Sequence, residues 1–134
     1  MTVAIPLETR PGDSMTDITS AVSIAVAESG VTEGLCLVSS PHTTAGITVN
    51  ENADPDVQAD MMMEIGKLVP LKDGYRHREG NSAAHLKATL TGISATLPVS
   101  GGHLVLGTWQ GVYFCDYDGP RRRSVMVTVI GEKG

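Results

Sequence analysis

"GVYFCDYDGPRRRSVMVTVI", residues 111–130, is the stretch on which the fold turns. In an extended chain Val125, Val127 and Val129 fall on one side, and Met126, Thr128 and Ile130 on the other, because successive strand residues point to opposite faces. Both sides are mostly apolar, which predicts a strand buried on both faces. Asp118-Gly119-Pro120 reads as a tight turn. The run His103–Asp116, interrupted at Gly107 and Gly111, is therefore expected to form one long strand paired with Arg121–Ile130 as a hairpin.

Working outward to the N-terminus, Val3 to Thr9 alternates as a strand with Val3, Ile5 and Leu7 on one face. After the Pro11-Gly12 turn, Ile18, Ala21, Val22, Ala25 and Val26 recur at helical spacing. Asp13 or Ser14 is the expected cap and Gly30 the expected end. Leu35–Ser39 and Ala45–Asn50 read as short strands. A second helix starts at Asp54-Pro55, buries Val57, Met61, Ile65 and Leu68, and stops at Pro70. Residues 72–80 form a polar loop. Asn81 caps a short helix carrying Ala84, His85, Leu86, Ala88 and Leu90, which Gly92 ends. Ile93–Val99 is a further strand, followed by a turn at Ser100-Gly101-Gly102. The whole predicts one α+β domain over residues 1–134, with largely antiparallel strands in two layers and two to three helices at the side.

A chain of 134 residues suits a single domain. Hydrophobic residues make up 41% and aromatics only 4%, so the core must be aliphatic. The formal net charge of −5 argues against a general nucleic-acid binder, which needs a broad basic surface. No apolar run is long enough for a membrane-spanning helix, and the first residues do not resemble a secretory leader. Cys36 and Cys115 both sit in apolar runs. They are expected as reduced core thiols rather than a disulfide, and the protein as cytoplasmic.

Three histidines stand out. His42 lies in "SPHTTAG" (40–46) at the mouth of a strand, His77 in the polar loop, and His85 on the helix just after it. Neutral imidazoles are common metal ligands, and three converging ones make an open site for a divalent ion. The spacing allows convergence without requiring it; local hydrogen bonding or exposure to solvent fits as well. His103, beside two glycines, reads as a turn residue. In "GTWQG" (107–111) the glycines mark either an approach by a ligand or neighbouring chain, or a bulge that seats Trp109 in the core. Arg121 and Arg123 share one strand face and Arg122 the other. Such forks match phosphate, or form ion pairs at a surface or subunit boundary. Glu51, Asp54, Asp60 and Asp116 are the candidate acids and bases. No phosphate loop, dinucleotide fingerprint or nucleophile elbow is present.

Taken together, "PHTTAGITVNEN", "GYRHREGNSAAHLKATLTG" and "GTWQGVYFCDYDGPRRR" resemble the YjbQ-like family, small proteins linked to secondary thiamine-phosphate synthase activity. The resemblance runs over nearly the whole chain. It implies a compact, β-sandwich-like α+β domain and a homotrimer with sites near subunit boundaries. It also implies His42, His77 and His85 as catalytic or metal-ligating residues, with zinc or magnesium as the ion. Thr43, Thr44, Asn81, Thr108, Trp109, Gln110 and the three arginines would contact the ligand, and Glu51 and Asp116 would supply carboxylates. Asp116 stands where the family pattern expects Glu, which puts any role that needs reach in doubt.

Three functions compete. The first is an enzyme coupling a pyrimidine diphosphate with a thiazole phosphate and releasing pyrophosphate. The second is a metal-dependent hydrolase or lyase on a small phosphorylated metabolite, using a metal-bound water. The third is a non-catalytic trimer that binds a metabolite or metal.

Overall fold

The computed structural model describes all 134 residues. Eight strands and three helices run in the order β1 (Thr2–Glu8), β2 (Gly12–Asp17), α1 (Thr19–Ser29), β3 (Val31–Ser39), β4 (Ala45–Glu51), α2 (Pro55–Leu68), α3 (Ser82–Thr91), β5 (Ser94–Ser100), β6 (His103–Leu104), β7 (Gln110–Gly119) and β8 (Arg122–Lys133). They build a five-stranded sheet, β1-β8-β3-β5-β6, and a three-stranded sheet, β2-β7-β4. Every strand pair is antiparallel. The expected α+β class and the two antiparallel layers are both present.

The expected hairpin at residues 118–120 is not. β7 and β8 belong to different sheets, so this turn carries the chain from one layer to the other. The β1–β2 connection makes the same crossing beside it. Thr9 N–H donates to the Arg121 carbonyl (3.0 Å), and Arg121 N–H donates to Thr9 Oγ1 (3.1 Å). β1 pairs with β8 from Thr2–Thr128 to Glu8–Arg122, and β2 pairs with β7 from Ser14–Asp116 to Asp17–Tyr113. The pairing is continuous except for an irregularity between Gly12 and Ser14. The two connections thus form the corner of one bent, two-stranded ribbon. They lie so close there that a Cβ on Gly119 would stand 2.0 Å from the Arg10 carbonyl oxygen.

The core lies between the layers. Cys36, Val38, Val125, Val127 and Val129 of the larger sheet meet Ala45, Ile47, Val112 and Phe114 of the smaller, and α1 closes the side with Val22, Ala25 and Val26. Burying each Val or Ile side chain contributes roughly 1.5–3 kcal/mol. A second cluster covers the outer face of the smaller sheet, where Met15, Tyr113, Cys115 and Tyr117 receive Ala84 and Ala88 of α3 and the methionines of α2. Small residues on α3 allow close approach to β4, and the Ile47 N–H donates to the Gly92 carbonyl at 3.0 Å.

Four local expectations are corrected. Residues 13 and 14 belong to β2, not to a helix cap; α1 begins at Thr19, whose N–H and hydroxyl both donate to Asp17. Ser14 and Met15 are adjacent and both buried, so this strand carries no alternation that the sequence could show. His103–Asp116 splits into β6 and β7, with the "GTW" turn between them. No residue of α2 is fully buried: Met61 and Ile65 pack partly, while Leu68 is 69% exposed because the helix covers only the sheet's margin. Finally, β8 is buried on the Val125–Val127–Val129 face only, and its other face is half-buried, ending in exposed Ile130.

Candidate functional site

The ribbon corner and the N-terminus of α3 frame a cluster of polar side chains. Asp116, on β7, is 0% exposed and faces the corner. Arg123, on β8, donates to it twice, from Nε to Oδ2 (2.9 Å) and from Nη2 to Oδ1 (2.8 Å). Thr9 Oγ1 donates to Oδ2 (2.6 Å) and the Asp118 N–H to Oδ1 (2.9 Å). The same Arg123 Nη2 donates to Thr44 Oγ1 at 2.7 Å. Asp118 accepts from Asn81 Nδ2 (3.0 Å) and from Arg121 Nη2 (3.1 Å) on one oxygen. Arg121 Nε also donates to the Asp118 carbonyl.

This network aims the arginines. Each has its Nε and Nη2 engaged and its Nη1 without a protein partner. The only enclosed side-chain polar atoms lacking a partner are Ser14 Oγ and Asn81 Oδ1. Arg123 borders the cavity beside this network. That cavity, about 330 Å³, has no hydrophobic lining residue and is bounded by Thr43, Thr44, His77, His85, Asn81 and the two arginines, with Glu79 and Asp118 at its edge. His85 also borders two adjoining spaces. One, about 470 Å³, contains His42 and Thr43; the other, about 480 Å³, contains His77 and Tyr75.

The histidines differ. The rings of His77 and His85 stand edge to face with centroids 5.5 Å apart. Two imidazoles on one tetrahedral ion would have centroids about 5 Å apart, close to this spacing, but edge-to-face packing does not by itself aim both ring nitrogens at one point. His77 Nε2 lies 3.8 Å from the Glu79 carboxylate. His42 shares a cavity with His85 but turns its Nε2 to the backbone, accepting from Ser124 N–H at 3.0 Å. A neutral imidazole has one lone pair, so a three-histidine ion does not fit His42 as it stands. No group of three or more His, Cys, Asp or Glu is gathered within reach of one ion. Burial and the neighbouring Arg123 charge push His42 below its ordinary range, against the opposing pull of the Ser124 hydrogen bond and Asp116.

The remaining expected residues do not reach this cavity within the chain. Glu51, Thr108, Trp109 and Gln110 lie at the other end of the smaller sheet, where Glu51 pairs with Gln110. β4 separates them from Thr44 by about 20 Å. Trp109 is 62% exposed rather than seated in the core. Gly111 does mark a close approach: a Cβ there would meet the Asn52 side chain at 2.6 Å. Arg122 points away, with its side chain 92% exposed beside Glu8. Asp116 is closed off and saturated with hydrogen bonds, so it positions Arg123 rather than meeting a ligand. Asn81 does not cap α3 with its side chain. Asp54 caps α2 instead, and Asp60 is exposed. His103 lies on β6, outside the cluster.

Asp118, Glu79 and Thr9 are the participants that sequence reasoning missed. Asp118 was legible as a turn residue, but its link to Asn81 spans 37 positions, and no local pattern carries it. A larger cavity, about 590 Å³, lies elsewhere, between β2 and α2, and contains no histidine.

Such a fold and site define a two-sheet α+β domain with a histidine- and arginine-lined cavity at a ribbon corner. The chain belongs to the family described as UPF0047 protein YjbQ-like, whose model matches residues 3–132. It is 46% identical over 132 residues to UPF0047 protein YugU of Bacillus subtilis, covering 98% of this chain and 100% of the relative. To UPF0047 protein MJ1081 of Methanocaldococcus jannaschii it is 45% identical over 127 residues, 95% of this chain and 92% of that one. Among solved structures, an uncharacterized conserved protein of the YjbQ/UPF0047 family from Clostridium acetobutylicum superposes with a TM-score of 0.94 at 51% identity, covering 96% and 99% of the two chains. A YbjQ-like protein of unknown function from Sulfolobus solfataricus gives 0.95 at 33% identity, covering 98% and 97%.

Proposed function

We propose that the protein is an enzyme acting on a small phosphorylated metabolite in the cavity around His85. The first reaction to test is coupling of a pyrimidine diphosphate with a thiazole phosphate, with release of pyrophosphate. The observation that carries the proposal is the pair of arginines held in place by hydrogen bonds through Nε and Nη2, both bordering a cavity that imidazoles and threonines also line. A leaving pyrophosphate gathers negative charge, and fixed N–H donors stabilise it best when their own partners already hold them in place.

The His77–His85 spacing favours metal assistance as a second reading. A divalent ion held by these two residues would supply Lewis acidity toward phosphate oxygens. On that reading the reaction class extends to hydrolysis or elimination of a phosphorylated substrate.

A homotrimer is part of the proposal. The outer face of the larger sheet is apolar, with Leu35, Leu37 and Ile130 exposed, and α3 exposes Leu86 and Leu90. These are two separate apolar patches, one on each side of the sandwich, and exposed patches of this kind support subunit contacts. No helix is long and apolar enough to cross a membrane. Two free, buried cysteines fit a reducing compartment, consistent with the cytoplasm.

The test mixes purified protein with the pyrimidine diphosphate and thiazole phosphate, with and without chelator, and follows pyrophosphate release together with the coupled product. Product formed by wild type and lost in His85→Ala supports the synthase reading. Phosphate release without coupling supports the hydrolase or lyase reading. Binding without turnover of either kind leaves a metabolite-binding trimer.

A further inference from the structure

Pro41 and His42 close β3 in an unusual way. The β3–β8 register ends at Ser39–Met126, so the next ladder position would set residue 41 against Ser124. Along β8, Val129 N–H points toward β1, donating to the Met1 carbonyl. Strand alternation then turns the N–H of Ser124 the other way, toward the place where β3 has stopped. An unpaired N–H there would be costly. The chain has turned out of the sheet at Pro41, and the His42 ring takes the vacant ladder position, with Nε2 accepting from Ser124 N–H at 3.0 Å. The His42 backbone N–H is itself held by Ser40 Oγ at 3.2 Å, and the ring meets Phe114 edge-on at 6.3 Å.

A backbone N–H can only donate. It therefore fixes the lone pair of a neutral His42 on Nε2 and the proton on Nδ1. Nδ1 has no protein acceptor and is not among the enclosed unpartnered atoms, and the residue borders the cavity shared with His85. We infer that His42 is a tautomer-locked hydrogen-bond donor, whose Nδ1–H recognises a phosphate oxygen of the ligand, and that it is not a metal ligand or a general base. With its lone pair engaged by Ser124, it neither coordinates an ion nor abstracts a proton. Its partner is an anionic oxygen, as for Arg121 and Arg123, while any ion is left to His77 and His85. This division of labour rests on the proposed phosphorylated ligand; the tautomer itself does not.

The experiment uses full-length protein labelled with ¹⁵N-histidine. Long-range proton–nitrogen correlation spectra are recorded at neutral pH without metal, and His42 is assigned by comparison with His42→Gln. The expected spectrum shows His42 protonated on Nδ1. Protonation on Nε2, or fast exchange between tautomers, overturns the lock. Zinc alone should move the His77 and His85 signals and leave those of His42; a zinc shift at His42 overturns the exclusion from the metal. Inorganic pyrophosphate should shift His42 Nδ1. His42→Ala should weaken pyrophosphate binding about tenfold or more. His42→Gln, whose amide can accept from Ser124 and still donate, should keep most of it. Equal loss in both variants overturns the donor role. No pyrophosphate binding by wild type, with the Nδ1 tautomer present, removes the phosphorylated ligand and the proposed function while the lock stands.

Discussion

Arg123 and Asp116 form a buried, two-point ion pair that ties the two sheets together beside the candidate site, with Nη2 to Oδ1 at 2.8 Å and Nε to Oδ2 at 2.9 Å. A pair enclosed this fully is balanced by desolvation, so its net worth is small. Removing one partner is different, because it leaves an uncompensated charge. Asp116→Asn is expected to destabilise the fold by about 3–5 kcal/mol. Urea denaturation of the purified variant measures it.

Acid should act through the same carboxyl. Burial alone would raise the Asp116 pKa, but hydrogen bonds from Arg123, Thr9 and the Asp118 N–H, together with the Arg123 charge, bring it below the ordinary value. The folded state therefore binds this proton less readily than the unfolded chain, where an aspartate titrates near about 3.9. The stabilisation is complete above that unfolded value and is lost as pH falls through the lower folded one. The stability gap between wild type and Asp116→Asn should thus begin to narrow as pH falls below about 4 and close only below the folded-state value, as followed by circular dichroism in denaturant titrations.

The three adjacent arginines should behave unequally. Arg121 borders the polar cavity with Nη1 free, whereas Arg122 stands in solvent beside Glu8. Losing a charged hydrogen bond to an anion costs about 1.5–3 kcal/mol. Calorimetric titration with pyrophosphate should show Arg121→Ala weakened by about tenfold or more and Arg122→Ala unchanged. Equal affinities would detach the cavity from phosphate binding.

Neither thiol should react in the native state. Both are fully buried, and burial pushes Cys36 up to about 11 and Cys115 up to about 12, the latter partly offset by a hydrogen bond with Tyr117. The thiolate is the reactive form. Iodoacetamide followed by mass spectrometry should find no label on folded protein at neutral pH, and two labels per chain after denaturation.

The proposed trimer has a simple check. Leu37 and Ile130 project from the outer face of the larger sheet. If that face is an interface, Leu37→Lys should shift the sedimentation coefficient to that of a monomer, leaving the circular dichroism spectrum unchanged. A wild-type monomer at micromolar concentration would remove the trimer.

Much of the architecture was legible because period and punctuation agreed. Pro55 and Gly30 mark helix ends where expected, and the alternation of Val3, Ile5 and Leu7 gives a true inward face. The 118–120 turn misled because a tight turn between two strands looks the same whether the strands pair or part. That distinction depends on β1 and β2, more than 100 positions away, whose connection runs alongside. His77 and His85 were close in sequence and are close in space. Glu51 joined the expected site as a carboxylate just after the His42 strand and Trp109 through its flanking glycines and the motif resemblance, and the span of β4 holds both away from it within the chain. The use of His42 was hidden because its partner is a backbone N–H, which leaves no trace in residue type.

The bent ribbon also bears on synthesis. β1 precedes its ladder partner β8 by more than 100 residues, with Thr2 set against Thr128. β8 also separates β1 from β3, so β1 stays apart from the larger sheet until β8 is in place. A nascent chain cut near the ribbon corner holds β1 and β3 with unpaired edges, the state most open to wrong pairing with other chains. With contacts this distant along the chain, folding is expected to be slower than for a helical protein of equal length. For such a chain, protection by chaperones falls within the interval before β1 and β8 have found each other.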